Sequence, residues 1–248
     1  MLLVLLTMLL AVAGLMLTQR LVPLSLRESH NSPIGITYSG VYLLFGVMVG
    51  FSAFLVLNKY HTSQETTQTE AGYAEEIYWL AEEFPEPKRD QIQGLAVSYA
   101  RVVVNEEWLL MRQGRTSPRA EALVIELRRS IQDFEPSTQT ENALYAQELE
   151  RVHDLDQARQ VRLLNVHEGL PPILWVVLGG LGISTILFAY LVGMKNLRLH
   201  MFTVSVLAAG IALVLLTIVA LDHPFGTNLR VSPEPFESVL HTIEVNGE

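Results

Sequence analysis

Apolar and polar positions divide the chain into four long apolar stretches and the polar segments between them. The apolar stretches are residues 1–17, 36–57, 173–194 and 201–221. Since about 20 apolar residues are needed to cross the hydrocarbon core of a bilayer, each stretch is predicted to form a transmembrane helix. The first is at the short end for a span, and a cleaved signal peptide is its alternative interpretation, although no basic residue precedes it.

The polar segment after the second apolar stretch keeps a helical period. No proline interrupts the chain between Ile36 and Pro85, and apolar residues recur every three or four positions. We therefore expect one helix that leaves the bilayer and continues as the first helix of a soluble domain. The apolar face of its second half consists of Ala71, Ala74, Ile77, Tyr78, Ala81 and Phe84.

Three further helices are predicted in the segment up to residue 169. The first ends near Gln113, because Gly114 is typical of a C′ position. The second begins with Ser117 as N-cap and Pro118 at N1, and the third runs from a Ser/Thr cluster at 137–140 to about residue 167. No strand-like alternation occurs in this segment, so the domain is expected to be all-helical. The inner face of the first of these helices is predicted to comprise Ile92, Leu95, Ala96, Tyr99, Val102, Val103, Glu106 and Leu110.

These elements predict an all-α integral membrane protein with four transmembrane helices and a helical soluble domain inserted between spans 2 and 3. The expected divisions are 1–57 for spans 1 and 2, 58–170 for the domain, 171–221 for spans 3 and 4, and 222–248 for a tail. The tail is predicted to form a short amphipathic helix after Ser232-Pro233, with an apolar face that needs a surface to lie on. That face comprises Phe236, Val239, Leu240 and Ile243.

Charge and composition exclude several function classes. Residues 58–170 carry 12 Lys and Arg against 20 Asp and Glu, most of the net charge of −9, so no nucleic-acid partner is expected. The chain has no cysteine, which excludes disulfides, thiolate metal sites and a cysteine nucleophile. No catalytic or nucleotide-binding motif is present, and no enzyme activity, cofactor or metal is predicted; Glu150-x-x-His153 has no second pair to complete a di-metal site.

The second predicted span carries two stripes on opposite sides. Small residues in a membrane helix let a neighbouring helix approach closely, so the small stripe is predicted to be a helix-packing seam. The large stripe has two interpretations, contact with lipid or an apolar constriction that lines a pore. The small stripe is Ser39, Gly46, Gly50 and Ala53, and the large stripe is Thr37, Val41, Leu44, Met48, Phe51 and Leu55.

The sequence resembles the bestrophin-like domain family of bacterial and plastid membrane proteins, and the resemblance covers nearly the whole chain. Its most specific part is a tail motif in which Asp222 is followed by a Pro-Phe pair and an Arg-Val-Ser-Pro run. The matching residues are Asp222, Pro224, Phe225, Arg230, Val231, Ser232, Pro233 and Phe236 in the tail, Leu170, Pro171 and Trp175 at the third span, Gly72 to Glu75, and Tyr99, Glu106, Glu107 and Trp108.

This resemblance implies a four-span subunit in a bacterial inner membrane that assembles as a homo-oligomer, pentamer-like, around a pore for inorganic ions. The pore would be lined by the second span, with Val41, Leu44, Met48, Phe51 and Leu55 on its axis. It also implies that the domain and both termini are cytosolic, which the loop charges leave undecided. A non-conducting scaffold or signalling subunit, binding a partner through its acidic domain, is the alternative.

Four charged residues have both a structural and a functional interpretation. Arg151, Arg159 and Arg162 precede the third span, where they either neutralise Glu75, Glu106 or Glu107 or line a pore mouth. Asp222 ends a helix where its charge opposes the macrodipole, so it needs a compensating partner, either a positive side chain or a turn that uses its carboxylate as an acceptor. It is interpreted either as such a structural cap or as a functional contact.

Overall fold

A computed structural model describes residues 1–167, 169–226 and 231–246 of the chain. Within these ranges the chain forms helices, turns and loops and no strand. The helices are α1 (Leu2–Leu21), α2 (Leu24–Ser29), α3 (Asn31–Leu80), α4 (Lys88–Val102), α5 (Trp108–Met111), α6 (Pro118–Gln132), α7 (Gln139–His167), α8 (Pro172–Leu191), α9 (Leu197–Asp222) and α10 (Glu234–Asn246), with a 3₁₀ turn at Ala81–Glu83 and a π-helical turn at Val103–Glu107.

The chain divides into two compact units. One comprises Met1–Leu57 and Leu170–Asp222, and we call it the apolar unit. The other comprises Asn58–Gly169 and His223–Glu248, and we call it the polar unit. The long helix α3, about 75 Å at 1.5 Å per residue, contributes its first half to the apolar unit and its second half to the polar unit.

Among the described residues, four helices are long and apolar enough to cross a membrane: α1, the first part of α3, α8 and α9. The four predicted spans are therefore confirmed as apolar helices. The segment between the first two spans is shorter than predicted, because α1 extends to Leu21 and residues 24–29 form the additional helix α2. Pro23, with φ −56°, is the N-cap of α2, a geometry that proline adopts without strain.

Small residues bring the helices of the apolar unit together. Ala208 of α9 is fully buried in a cluster with Leu15 of α1. On α8, a Cβ at Gly182 would lie 3.5 Å from both Phe45 of α3 and Ile211 of α9, whereas a Cβ at Gly179 would meet nothing within 4 Å. Of Gly179, Gly180 and Gly182 on α8, Gly182 is the one that packs against these neighbours.

The two short connections of the apolar unit meet at one end of it. The Asn31 side chain accepts a hydrogen bond from Gly193 N at 2.7 Å and donates one to Gly193 O at 3.0 Å. A Cβ on Gly193 would lie 2.6 Å from the backbone nitrogen of Glu28. The connection between α8 and α9 is therefore packed directly on α2, at a distance that only glycine permits.

The core of the polar unit is formed by α4, α6, α7, α10 and the second half of α3. Ile77, Tyr99, Leu127, Leu155 and Phe236 are all buried there. The predicted tail helix is α10, and its apolar face lies in this core: Phe236, Val239 and Ile243 are buried and Leu240 is partly buried.

The predicted helix boundaries of the polar unit follow local capping. Ser117 Oγ accepts a hydrogen bond from Ala120 N, and Pro118 occupies N1 of α6. Glu141 and Thr138 form a reciprocal capping box at the start of α7. Gly114, at φ +67°, ends the α5 segment, as expected for a C′ glycine.

One predicted helix contains a π-helical turn that shifts its buried face. A regular helix would place Glu106 and Leu110 on the inner face, but both are only partly buried. Buried instead are Glu107, Trp108 and Met111. The turn at Val103–Glu107 inserts one extra residue into the helical repeat, so every position after it moves by about one residue.

Candidate functional site

A fully buried ion-pair cluster lies at the centre of the polar unit. Arg162 of α7 binds Glu70 of α3 through two hydrogen bonds, Nε to Oε2 at 2.5 Å and Nη2 to Oε1 at 2.8 Å. Its Nη2 also donates to Glu107 Oε2 at 2.7 Å. All three side chains have no exposed surface, so this cluster joins α3, the π-helical turn and α7 with charge-assisted bonds.

A second arginine completes the charge balance of the cluster. Arg159 Nη2 donates to Glu107 Oε1 at 2.6 Å, so Glu107 is bound by two guanidinium groups. Burial by itself would raise the pKa of Glu107, but Arg162 and Arg159 outweigh that effect and lower it. The two arginines and the two glutamates therefore form a buried group of four charges with no net charge.

Tyr99 of α4 adds a neutral donor to the cluster. Its hydroxyl donates a short hydrogen bond to Glu70 Oε1. Burial first, and the neighbouring Glu70 carboxylate second, raise the pKa of Tyr99 well above its usual value. Tyr99 thus stays protonated and orients Glu70 toward Arg162.

Glu106 does not join this cluster but fixes the start of α6. Its Oε1 accepts a hydrogen bond from Ser117 Oγ at 2.5 Å, and Glu107 Oε1 accepts one from Ser117 N at 3.2 Å. The adjacent glutamates of the π-helical turn therefore hold the same N-cap residue from two sides.

Trp108 connects the cluster to the tail. The Arg162 guanidinium lies over its ring at 5.3 Å from the centroid, and its indole nitrogen donates to Val231 O at 3.3 Å. Phe225 and Phe236 pack edge-on against the same ring, with centroids 5.7 and 6.5 Å away. Of the other motif positions, Pro224 is buried and Pro233 half-buried, while Arg230 lies outside the described residues.

Asp222 is buried in the apolar unit, at the end of α9. Its Oδ1 accepts a hydrogen bond from Leu170 N at 2.7 Å, just before the start of α8. This carboxylate therefore satisfies a backbone donor near the N-terminus of a helix, where a negative charge is favourable. The turn before α8 thus provides part of the compensation that the charge of Asp222 needs at the end of α9.

Of the three arginines singled out in the sequence, Arg159 and Arg162 pair with the expected Glu107, and Arg151 pairs with other acidic residues. Arg151 is paired with Glu76 at 3.6 Å and Asp154 at 3.0 Å. Glu75 instead accepts a hydrogen bond from Trp79. The side chains of the Glu150-x-x-His153 pair are exposed on α7, and no group of three metal-binding side chains occurs within the described ranges.

Glu70 was missed by sequence reasoning, although its signal is present. The inner face of α3 continues backward from Ala74 through Glu70, Thr67 and Ser63 at spacings of three and four, and all four are buried. A charged residue on such a face needs a buried partner of opposite charge, which is the role of Arg162.

Glu148 of α7 is a buried carboxylate of a different kind. It has no exposed surface, and neither oxygen has a hydrogen-bond partner within the described part of the chain. Burial raises the pKa of Glu148 to about 8. It is therefore largely protonated at neutral pH.

In the membrane part of α3, neither predicted stripe is the main packed face. The buried residues are Phe45, Ser52 and Val56, which lie between the two stripes. Gly46 and Gly50 of the small stripe are exposed, and a Cβ on either would meet nothing within 4 Å. Ser39 is exposed and Ala53 half-buried in the same stripe; in the large stripe, Leu44 and Phe51 are exposed and Val41, Met48 and Leu55 are partly buried.

Comparisons with known proteins agree on one family and one fold. The sequence model of the Bestrophin-like domain matches residues 5–236. Structures of a bacterial bestrophin homolog from Klebsiella pneumoniae share the fold. Two of its point mutants are 12% and 11% identical to this chain, each with a TM-score of 0.70 and 99% of both chains covered. A structure solved by Zn-SAD phasing is 12% identical, with a TM-score of 0.65, and covers 98% of this chain and 96% of that one. Among curated proteins, none is significantly similar to this chain.

Proposed function

The chain belongs to the bestrophin-like domain family, and we propose that it is the subunit of a homo-oligomeric ion channel, a pentamer, whose pore is lined by α3. The polar unit is then a cytosolic helical domain inserted between spans 2 and 3, and the protein resides in the bacterial inner membrane. The permeant species are inorganic ions.

The observation that best supports this proposal is that each stripe of α3 has exposed residues in the single chain, Gly46 and Gly50 in the small stripe and Leu44 and Phe51 in the large one. Gly46 and Gly50 leave open space beside the helix backbone, which a helix of another subunit can occupy at close range. Phe51 has 51% of its surface exposed and Leu44 has 58%. On a shared axis, such side chains would form a narrow apolar neck that gates by dewetting.

A groove in the polar unit favours the second candidate function, a non-conducting scaffold. This groove of about 800 Å³ lies between the second half of α3 and α10, and its acidic lining residues include Glu65, Glu75 and Glu234. A basic segment of a partner protein would fit its charge. A scaffold of this kind needs no pore and no rotational symmetry.

The mass of the purified complex in native-lipid nanodiscs distinguishes the two functions. The channel proposal predicts a stable oligomer that conducts ions when reconstituted in vesicles, whereas a stable monomer has no shared axis and would leave only the scaffold.

The variant Gly50→Leu should break the oligomer, because it separates backbones that need close contact. Gly179→Leu, on the open side of α8, is the matched control and should leave the mass unchanged. If both variants keep the wild-type mass, the small stripe is not the subunit seam.

A further inference from the structure

The end of the apolar unit where its two short connections meet contains a buried positive charge. Arg27 of α2 is 3% exposed. Its Nη1 donates to Tyr190 O, near the end of α8, at 3.2 Å, and its Nε is buried with no hydrogen-bond partner in the described chain. The ion pairs between described side chains do not include Arg27.

A single backbone carbonyl does not compensate a buried guanidinium. The C-terminal end of a helix carries about half a negative charge, which offsets only part of the positive charge of Arg27. Removing an ionised group from water without a counter-charge is costly. A bound anion would therefore compensate the rest of the positive charge of Arg27.

Arg27 lines a cavity whose other walls are mainly apolar. The cavity has a volume of about 420 Å³, and its lining residues include Leu26, His30, Ile34, Phe188 and Leu191. All of them belong to the apolar unit, at the end of the predicted spans. A ligand that fits both parts of this site has an anionic group for Arg27 and a hydrocarbon chain for the apolar walls.

We propose that this cavity binds an anionic phospholipid, with the phosphate at Arg27 and an acyl chain against Leu26, Ile34 and Phe188. A bilayer supplies such molecules at the depth where spans end, and a guanidinium binds a phosphate through charge-assisted hydrogen bonds. The bound lipid completes the charge balance of Arg27 and fastens α2 to the end of α8. This site is independent of whether α3 lines a pore.

Native mass spectrometry of the delipidated, full-length protein in mild detergent tests this proposal. Dioleoyl phosphatidylglycerol is titrated into the wild type, Arg27→Gln and Arg20→Gln. Arg20 is exposed at the end of α1 and serves as the matched control. Loss of a charge-assisted hydrogen bond should weaken binding roughly ten- to a hundredfold in Arg27→Gln, and Arg20→Gln should bind like the wild type.

A cavity-filling variant keeps the proposal testable if Arg27→Gln does not fold. Ile34→Trp leaves Arg27 in place and occupies the space meant for the acyl chain, so it should also lose the lipid. Wild-type affinity in either Arg27→Gln or Ile34→Trp would overturn the proposal.

Competing ligands identify the source of the anion. Inorganic phosphate or sodium oleate that displaces phosphatidylglycerol at equal concentration would contradict a phospholipid site, since the first lacks the chain and the second lacks the phosphate. Equal affinity for dioleoyl phosphatidylcholine would show that net negative charge is not recognised, and would also contradict it.

Discussion

In the polar unit, two buried arginines bind two buried glutamates, whereas in the apolar unit the buried charged side chains Arg27 and Asp222 bind backbone groups. Arg162, Glu70 and Glu107 form a closed group in the first case. In the second case Arg27 donates to Tyr190 O and Asp222 accepts from Leu170 N. The difference follows from the ends of membrane helices, whose free backbone groups need partners where water is scarce.

The two units also differ in how far a single chain buries its large apolar side chains. The polar unit buries its large apolar side chains around Tyr99, Phe84 and Phe236. The apolar unit leaves such residues exposed on every span, for example Leu9 at 69%, Leu43 at 67% and Phe202 at 64%. Lipid or neighbouring subunits must cover those surfaces.

The largest effect is expected from breaking the buried cluster of the polar unit. Arg162→Met leaves Glu70 and Glu107 buried with less positive charge beside them, and should lower the free energy of unfolding by about 3–5 kcal/mol. Thermal or denaturant unfolding followed by tryptophan fluorescence measures the change. Arg101→Met is the control, because its 3.6 Å pair with Glu244 is exposed on both sides and should contribute less than about 1 kcal/mol.

Equal free energies of unfolding in Arg162→Met and Arg101→Met would contradict a stabilising role of the cluster. If the fluorescence of Trp175 on α8 keeps its wild-type transition after Arg162→Met while that of Trp108 shifts, the two units unfold independently of each other. Single-tryptophan versions of the chain make that assignment possible, since the sequence contains three tryptophans.

The next largest effect concerns pH and Glu148. Its pKa rises from about 4.5 in the unfolded chain to about 8 in the folded one, so between these values the folded state holds the extra proton. The stability contributed by the protonated form is present at low pH and is lost as pH rises through 8, by a few kcal/mol in all.

Glu148→Gln should remove that pH dependence while keeping the shape of the side chain. Unfolding curves of the wild type and the variant between pH 5 and 9 measure it, with Glu150→Gln, an exposed neighbour, as the control. A wild-type stability that does not decrease from pH 5 to 9 would contradict the buried, protonated assignment, and so would a decrease of the same size in Glu148→Gln.

A smaller effect is expected at the connection between α8 and α9. Gly193→Ala places a methyl group 2.6 Å from a backbone nitrogen that cannot move aside easily, and should cost about 1–3 kcal/mol. Gly179→Ala, with open space around it, should be neutral or slightly stabilising because alanine favours the helix. Melting temperatures in detergent compare the two; equal values would mean that α2 does not pack on this connection.

The sequence was sufficient to predict the described helices other than α2, because their signals are local. Apolar length marks the spans, and Ser117, Pro118, Thr138 and Gly114 mark helix ends through bonds within one turn. The same reasoning failed at the π-helical turn, where one inserted residue moves burial from Glu106 to Glu107. No local pattern announces that insertion.

The partners of the charged residues were harder to predict, because they depend on contacts between residues distant in sequence. Arg162 was expected beside Glu75, Glu106 or Glu107, and it contacts Glu107 and the unexpected Glu70. Residues 70 and 162 lie 92 positions apart. The packing of the whole core sets how α3 and α7 align along each other, and this alignment determines that Glu70 and Arg162 pair.

The central proposal is that the large stripe of α3 lines a pore, and one comparison of ion flux tests it most directly. Phe51 belongs to the large stripe and Phe54 to neither stripe, although both are the same residue type and similarly exposed, at 51% and 59%. In vesicles with equal amounts of assembled protein, Phe51→Ala should raise flux by widening the apolar neck, and Phe54→Ala should leave it at the wild-type level. Unchanged flux in Phe51→Ala together with altered flux in Phe54→Ala would show that α3 presents a different face to the ions.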